Sequence, residues 1–420
     1  MSQLLDERAR DQGTRFLIFP QNRLLPGFEK PEIVYINSPP GTIKAGPEDD
    51  RMYVVEAINK KPYGAGYSPP YKRMANDPPP IMPSPDGHFD HISPDDQSFS
   101  SVMLFASVRR VLDIWEDYFG REIPWAFRNS YQKLEMIPRV NSIRKNAYSG
   151  WGYIEFGFVP SPQSLDGKHY FSENFDVIAH ELGHQIKYSL IGAPSQNNPN
   201  EEFNAHHEAF GDLIAIISTL HFDSVVTRVL ETTRGNLFSV NELSRLAELS
   251  ESKEIRIAFN YEKFTTTDRR PHALSLPFTG GAFDTMVEIY QTLLIERNII
   301  PESLGKQSYH ALEKEIPDVQ KEFDFYYAEK SQDFKQALLD ARDIFGKLMA
   351  SAWLKTKQFE FTFWKVINNM IDADQELNNG KYIQTIRDCF EWRQLTRTVN
   401  PVLLKRELFH GFRISEKEPF

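Results

Sequence analysis

His180 and His184 stand four residues apart in Phe175-Asp-Val-Ile-Ala-His-Glu-Leu-Gly-His-Gln-Ile-Lys. On a helix that spacing puts both imidazoles on one face, about one turn from each other, where they can grip a single Zn²⁺. Glu181 lies beside the first histidine, within reach of a water at such an ion, and is the candidate general base. Zinc that keeps one position open for water takes three protein ligands, and two histidines with a glutamate form one workable set. The segment Phe203-Asn-Ala-His-His-Glu-Ala-Phe-Gly-Asp offers that glutamate as Glu208. Asp212, four residues on, shares its helical face and can accept a hydrogen bond from a ligand imidazole, fixing its tautomer. Phe210, Leu213, Ile214, Ile216 and Ile217 leave little polar surface around these carboxylates, so each needs a partner.

His206 and His207 are rival ligands. They precede the face that Glu208 shares with Asp212, and are expected to line a cleft or cap a helix. A third histidine in an HExxHxxGxxH arrangement is excluded, because Lys187 and Leu190 occupy the relevant positions.

The elements that must carry these residues are legible as periodicity. Apolar residues recur every three to four positions over 98–119, and Gly120 is a plausible stop. Strands are expected at 134–140 and 153–158, joined through Asn146–Gly152. Helices follow over 174–189, 202–220, 281–298, 332–355, 361–377 and 381–395. Strands early and helices late predict an α+β protein with a mostly helical second lobe. Residues 20–95 are rich in proline and glycine and read as an extended arm with short strands, packed on the surface or restraining access to a cleft. The expected division is an arm over 1–97, a first catalytic lobe over 98–190, a helical lobe over 191–400 and a tail over 401–420.

The 420 residues carry 48 Lys+Arg against 58 Asp+Glu, a formal charge of −10, which argues against nucleic acid as the partner. A single cysteine, Cys389, excludes an intrachain disulfide and a zinc site built on several thiolates. The opening MSQLLDERARDQGTRF has charges where a secretory signal needs an apolar core, and no stretch has the ~18 apolar residues of a membrane span. A cytoplasmic protein without a membrane partner is expected, unless export follows a route that needs no such signal.

HELGH followed by HEAFGD resembles the thermolysin-like zinc peptidases of the gluzincin group. The resemblance implies a zincin-like, two-lobed fold in which one helix carries HExxH and a second carries E-A-x-x-D. It implies His180, His184 and Glu208 as the ligands of one zinc ion, Glu181 as general base and Asp212 as the carboxylate that orients a ligand ring. Asn146-Ala147-Tyr148 resembles the family's edge-strand segment, implying that Asn146 and Ala147 bind an extended peptide substrate as an added strand. Arg269-Arg-Pro-His272 resembles the segment whose histidine donates to the oxyanion, implying that role for His272.

The chain also departs from that pattern. From His184 to Glu208 is 24 residues, longer than usual, with 191–202 absorbing the difference. The family's oxyanion-assisting tyrosine has no counterpart between Ser189 and His207, and Tyr188 sits too near the metal helix to take its place. The apolar continuation Leu213–His221 lacks the acidic cluster that binds calcium in secreted relatives, which leaves calcium doubtful. No G-x-M-E-N type motif marks an aminopeptidase, so the expected activity is that of a zinc metalloendopeptidase. Two alternatives stand beside it: an effector or toxin protease with one target protein, and a zinc-bound scaffold without hydrolytic activity, which would ordinarily have lost Glu181.

Overall fold

The computed structural model describes residues 9–25, 27–64, 66–143, 145–161, 167–194, 200–238, 245–246, 256–258, 260–310 and 315–395. The expected tail over 401–420 lies outside the described residues. The chain is a mixed α+β structure. Two strands, β1 (Thr14–Ile18) and β2 (Glu32–Ile36), form an antiparallel pair whose alternate residues Phe16, Ile18, Val34 and Ile36 are buried. A four-stranded sheet follows in the order β3 (Met52–Val54), β4 (Leu134–Ile137), β6 (Tyr153–Phe156), β5 (Ala147–Gly150). β3, β4 and β6 run parallel, and β5 is antiparallel to β6 at the edge. A short pair, β7 (Phe158–Pro160) and β8 (Lys168–Tyr170), leads out of it.

Helix α1 (Phe99–Phe119) is buried round nearly its whole circumference, and Arg109 on it is paired with Asp113 and Glu116 of the same helix. It ends where Gly120 adopts φ +64°, a left-handed conformation that glycine takes without a Cβ penalty. Then come α2 (Phe175–Leu190), α3 (Glu201–Thr219) and α4 (Asp223–Thr233). The two-residue strands β9 (Arg245–Leu246) and β10 (Arg256–Ile257) pair with each other. The rest is helical: α5 (Pro271–Glu296), α6 (Glu302–His310), α7 (Ile316–Lys355), α8 (Phe363–Asn378) and α9 (Ile383–Trp392). Among the described residues no single helix is long and apolar enough to cross a membrane.

One continuous apolar cluster runs from Phe16 to Leu395, so the strand-bearing and helical parts share a core. Trp115 of α1 packs on Trp353 of α7 with ring centroids 5.2 Å apart, and Trp353 packs on Phe210 of α3 at 3.9 Å. The helix carrying Glu208 is thereby anchored from behind.

Three expectations are corrected. Helix α5 begins ten residues before the expected 281, because Pro271 sits in its first turn, where a missing N–H breaks no bond. Gly280 and Gly281 lie inside it and make room for α9: a Cβ on them would come within 2.5 Å of the Arg393 guanidinium and 2.6 Å of the Phe390 ring. Helix α7 starts at Ile316, and the expected start near 332 marks a kink at Lys330, whose backbone is not helical.

The proline-rich segment is not a surface arm. It supplies β3 to the main sheet and stacks Phe16 on Phe89, ring centroids 5.1 Å apart, in the core. Its residues Tyr53, Tyr63 and Tyr71 close over Glu135, which accepts bonds from the Tyr53 hydroxyl at 2.5 Å, the Tyr63 hydroxyl and the Tyr71 backbone N–H at 2.7 Å. Lys60 does the same for Glu155, which also accepts the Tyr63 N–H at 2.9 Å. Both glutamates are fully buried, so the segment satisfies charges that the sheet alone would strand.

Candidate metal centre

Helices α2 and α3 cross at two glycines. A Cβ on Gly183 would lie 2.7 Å from the Gly211 Cα, and a Cβ on Gly211 would lie 2.7 Å from Nδ1 of His180. Only glycine permits so close an approach, and that approach brings the carboxylates of α3 to the imidazoles of α2. Asn200 starts α3 by accepting the Phe203 N–H at 2.9 Å, which fixes the phase of the helix before Glu208 is reached.

His180 is held on both sides of its ring. Nδ1 meets Asp212 Oδ1 at 2.9 Å, and Nε2 faces Glu208 Oε2 at 3.6 Å. Asp212 is fully buried, so its contact selects the tautomer with the proton on Nδ1 and turns the Nε2 lone pair toward Glu208. The His184 ring stands 4.7 Å from that of His180, nearly perpendicular to it. His180, Glu181 and His184 each offer a donor atom within 4.8 Å of the others, a group that can hold a metal ion. Glu181 is partly exposed, whereas both histidines are buried.

The donor set fits a zinc ion. Two donors at about 2.1 Å on a tetrahedral ion stand about 3.4 Å apart, close to the 3.6 Å between His180 Nε2 and Glu208 Oε2. Burial would push the Glu208 carboxyl up, but the nearby rings of His180, His272 and His184 hold it well below the usual carboxylate range. It is an anion facing the lone pair of a neutral imidazole, an arrangement that a cation reconciles.

His272 is the second residue of α5, and its Nδ1 lies 2.8 Å from Glu208 Oε2 while its side chain is 62% exposed. It therefore orients the candidate third ligand from the solvent side, with one ring nitrogen committed to that bond.

His206 lines no cleft and caps no helix. It is fully buried among aromatic rings, with centroids 4.9 Å from Phe361 and 5.2 Å from Phe278, and burial holds it neutral. His207 stacks on His184 at 4.0 Å and on Tyr188 at 5.0 Å, a three-ring column that fixes the plane of His184. Neither the expected cleft-lining or capping place of His207 nor the position of Tyr188 beside the metal helix points to this stacking. The signal was present in the four-residue step from His184 to Tyr188. Burial, with the nearby charges of Glu181 and Glu208, pushes the Tyr188 hydroxyl up to about 12, so it stays protonated.

Asn146 and Ala147 sit at the head of the edge strand. Asn146 is exposed, and its side-chain oxygen accepts the Ala147 N–H at 3.0 Å. Among the described residues strand β5 pairs with β6 alone. It is tied to α2 by Gln185, whose amide donates to Ser149 Oγ at 2.6 Å and to the Gly150 carbonyl at 2.7 Å. The exposed Tyr148 lies on this strand and Trp151 just beyond it, the latter 6.2 Å from Tyr188. No family model matches the chain, and no curated protein matches it.

Proposed function

We propose that this chain is a zinc-dependent metalloendopeptidase with a zincin-like arrangement of the thermolysin type. The observation that carries the reading is the double constraint on His180: Asp212 on Nδ1 at 2.9 Å and Glu208 at 3.6 Å from Nε2, with His184 one turn on. A structural histidine needs no carboxylate on both sides, whereas a metal ligand needs one to set its tautomer and one to share its ion.

His180, His184 and Glu208 would hold the zinc. Bound there, zinc supplies Lewis acidity toward a carbonyl and lowers the pKa of water to about 7. Glu181, partly exposed and next to His180, takes the water proton and passes it to the leaving amine. Asp212 keeps the His180 proton on Nδ1 throughout, and His207 keeps the His184 ring in plane. His272, with Nδ1 on Glu208, has its opposite ring edge available to the developing oxyanion. The side of β5 that faces away from β6, with no strand beside it among the described residues, aligns an extended peptide, and Gln185 holds that strand at a fixed distance from the HExxH helix.

The test compares wild type with Glu181→Gln for zinc content and for chelator-sensitive cleavage of an unfolded protein. Both proteins should hold about one zinc, with turnover in the variant reduced by ~10²-fold or more. Wild-type protein that retains no zinc, or a variant that cleaves normally, refutes the reading.

A further inference from the structure

Helix α2 turns one stripe toward strand β5. Glu181, Gln185 and Tyr188 fall at positions i, i+4 and i+7, so they share a face. Gln185 is bonded to Ser149 and Gly150, and the Tyr188 ring lies 6.2 Å from that of Trp151. Strand and helix therefore advance together along this contact, with Ser149 and Gly150 level with Gln185 and Trp151 level with Tyr188. Seven helical residues from Glu181 to Tyr188 rise about 10 Å, a distance that an extended peptide covers in about three residues.

Trp151 stands at the far end of the stripe, in the turn between β5 and β6, and is 42% exposed. Its Nε1 donates to Ser130 Oγ at 3.3 Å, which fixes one edge of the indole. Phe127 is inclined to it by 75° and Tyr188 by 44°, and among the described residues no ring lies flat against it. Tyr188 is itself backed by His207, and His207 by His184, so this corner is continuous with the candidate metal centre. The exposed Tyr148 does not belong to it. Tyr148 precedes Ser149, whose side chain meets Gln185, and strand alternation turns it to the opposite face of the sheet.

A tryptophan with an open face and a tyrosine inclined to it form a corner of two π surfaces. A flat ring placed there gains stacked or edge contacts beyond the area it buries. Phe127, Ser130 and Tyr188, which border Trp151, carry no charge, so the corner offers a cation no counter-ion.

We propose that Trp151 and Tyr188 form a subsite for an aromatic side chain of the substrate, about three residues from the scissile bond. The inference rests on the metalloendopeptidase reading and names the class of peptide it favours.

The test uses short labelled peptides, identical but for one phenylalanine moved position by position, and a parent that has none. Zinc-loaded wild type should cut each at a constant distance from its phenylalanine, read by mass spectrometry. Zinc-loaded Glu181→Gln should bind the best of them about tenfold more tightly than the parent, measured by fluorescence anisotropy. Adding Trp151→Ala should remove most of that preference, and Trp151→Phe in its place should restore part of it. Should Trp151→Ala not fold, Trp151→Leu, bulky but without a π face, carries the same expectation. A preference that survives these substitutions, or tighter binding with arginine in place of phenylalanine, overturns the inference. Chelator-sensitive cutting that ignores the phenylalanine overturns it too, while leaving the peptidase reading intact. A Trp151-dependent preference in binding, with no cutting by wild type, supports the aromatic subsite and refutes the peptidase reading.

Discussion

Replacing Gly211 by alanine should damage the metal centre through packing alone. In an ordinary helix interior the change would stabilise by up to about 1 kcal/mol. Here the new Cβ would lie 2.7 Å from His180 Nδ1, 2.8 Å from its Cε1 and 2.9 Å from its carbonyl oxygen. Ordinary contact begins near 3.4 Å, so the overlap is 0.7 Å at the worst atom. None of the three atoms is the loose end of a flexible side chain: two belong to a ring held by Asp212 and one is backbone. Either the helices part or the ring turns off Asp212. Overpacking of this kind costs typically ~1–3 kcal/mol, which outweighs the propensity gain. Loss of an orienting carboxylate weakens metal binding by ~10–100-fold. Zinc affinity would be measured by competition with a chromophoric chelator, and stability by urea unfolding of the metal-free chain. Gly183→Ala is the control, since it forces the helices apart at the Gly211 Cα without touching the His180 ring. It should lower stability with a smaller effect on zinc. A Gly211→Ala protein with wild-type zinc affinity and undiminished stability would show that the crossing has slack, and the reasoning would fail.

Asp212→Asn should weaken zinc binding ~10–100-fold, because a buried amide no longer favours the Nδ1 proton on His180; equal affinity in the same competition assay would remove Asp212 from the site. Lys60→Met leaves the fully buried Glu155 without its cation and should cost ~3–5 kcal/mol in urea unfolding, with partial recovery in the Lys60→Met, Glu155→Gln double variant. Stability should fall as pH drops from about 6.5 toward 4. Burial, helped by Arg23, holds folded His169 at about 4, so across that window the unfolded chain binds the extra proton. The loss from His169 approaches roughly 3 kcal/mol and levels off below pH 4, and His221, depressed in the same direction by burial, adds to it. His169→Phe should flatten this limb when urea midpoints are compared across the range, and an unchanged slope would refute the assignment.

Local spacing carried much of the candidate site. That His180 and His184 share a face, and that Glu208 and Asp212 share another, follows from the helical period, and the observed bounds of α2 and α3 differ by one residue at each end from those read off the apolar pattern. The start of α5 was hidden because Gly280 and Gly281 look like breakers until α9 is packed against them. The proline-rich segment looked peripheral because nothing local announces that Lys60, Tyr53 and Tyr63 answer two glutamates more than seventy residues away.

Which side chains would form the centre, and which faces they occupy, is a one-dimensional property, since neighbours along a helix are set by 1.5 Å and 100° per residue. Whether those faces meet is not. That depended on Gly183 and Gly211 bringing two backbones together, on Trp353 bracing α3 at Phe210, and on α5 delivering His272 to Glu208. Each of these is a contact between segments far apart in the chain, decided by how volumes fill the core.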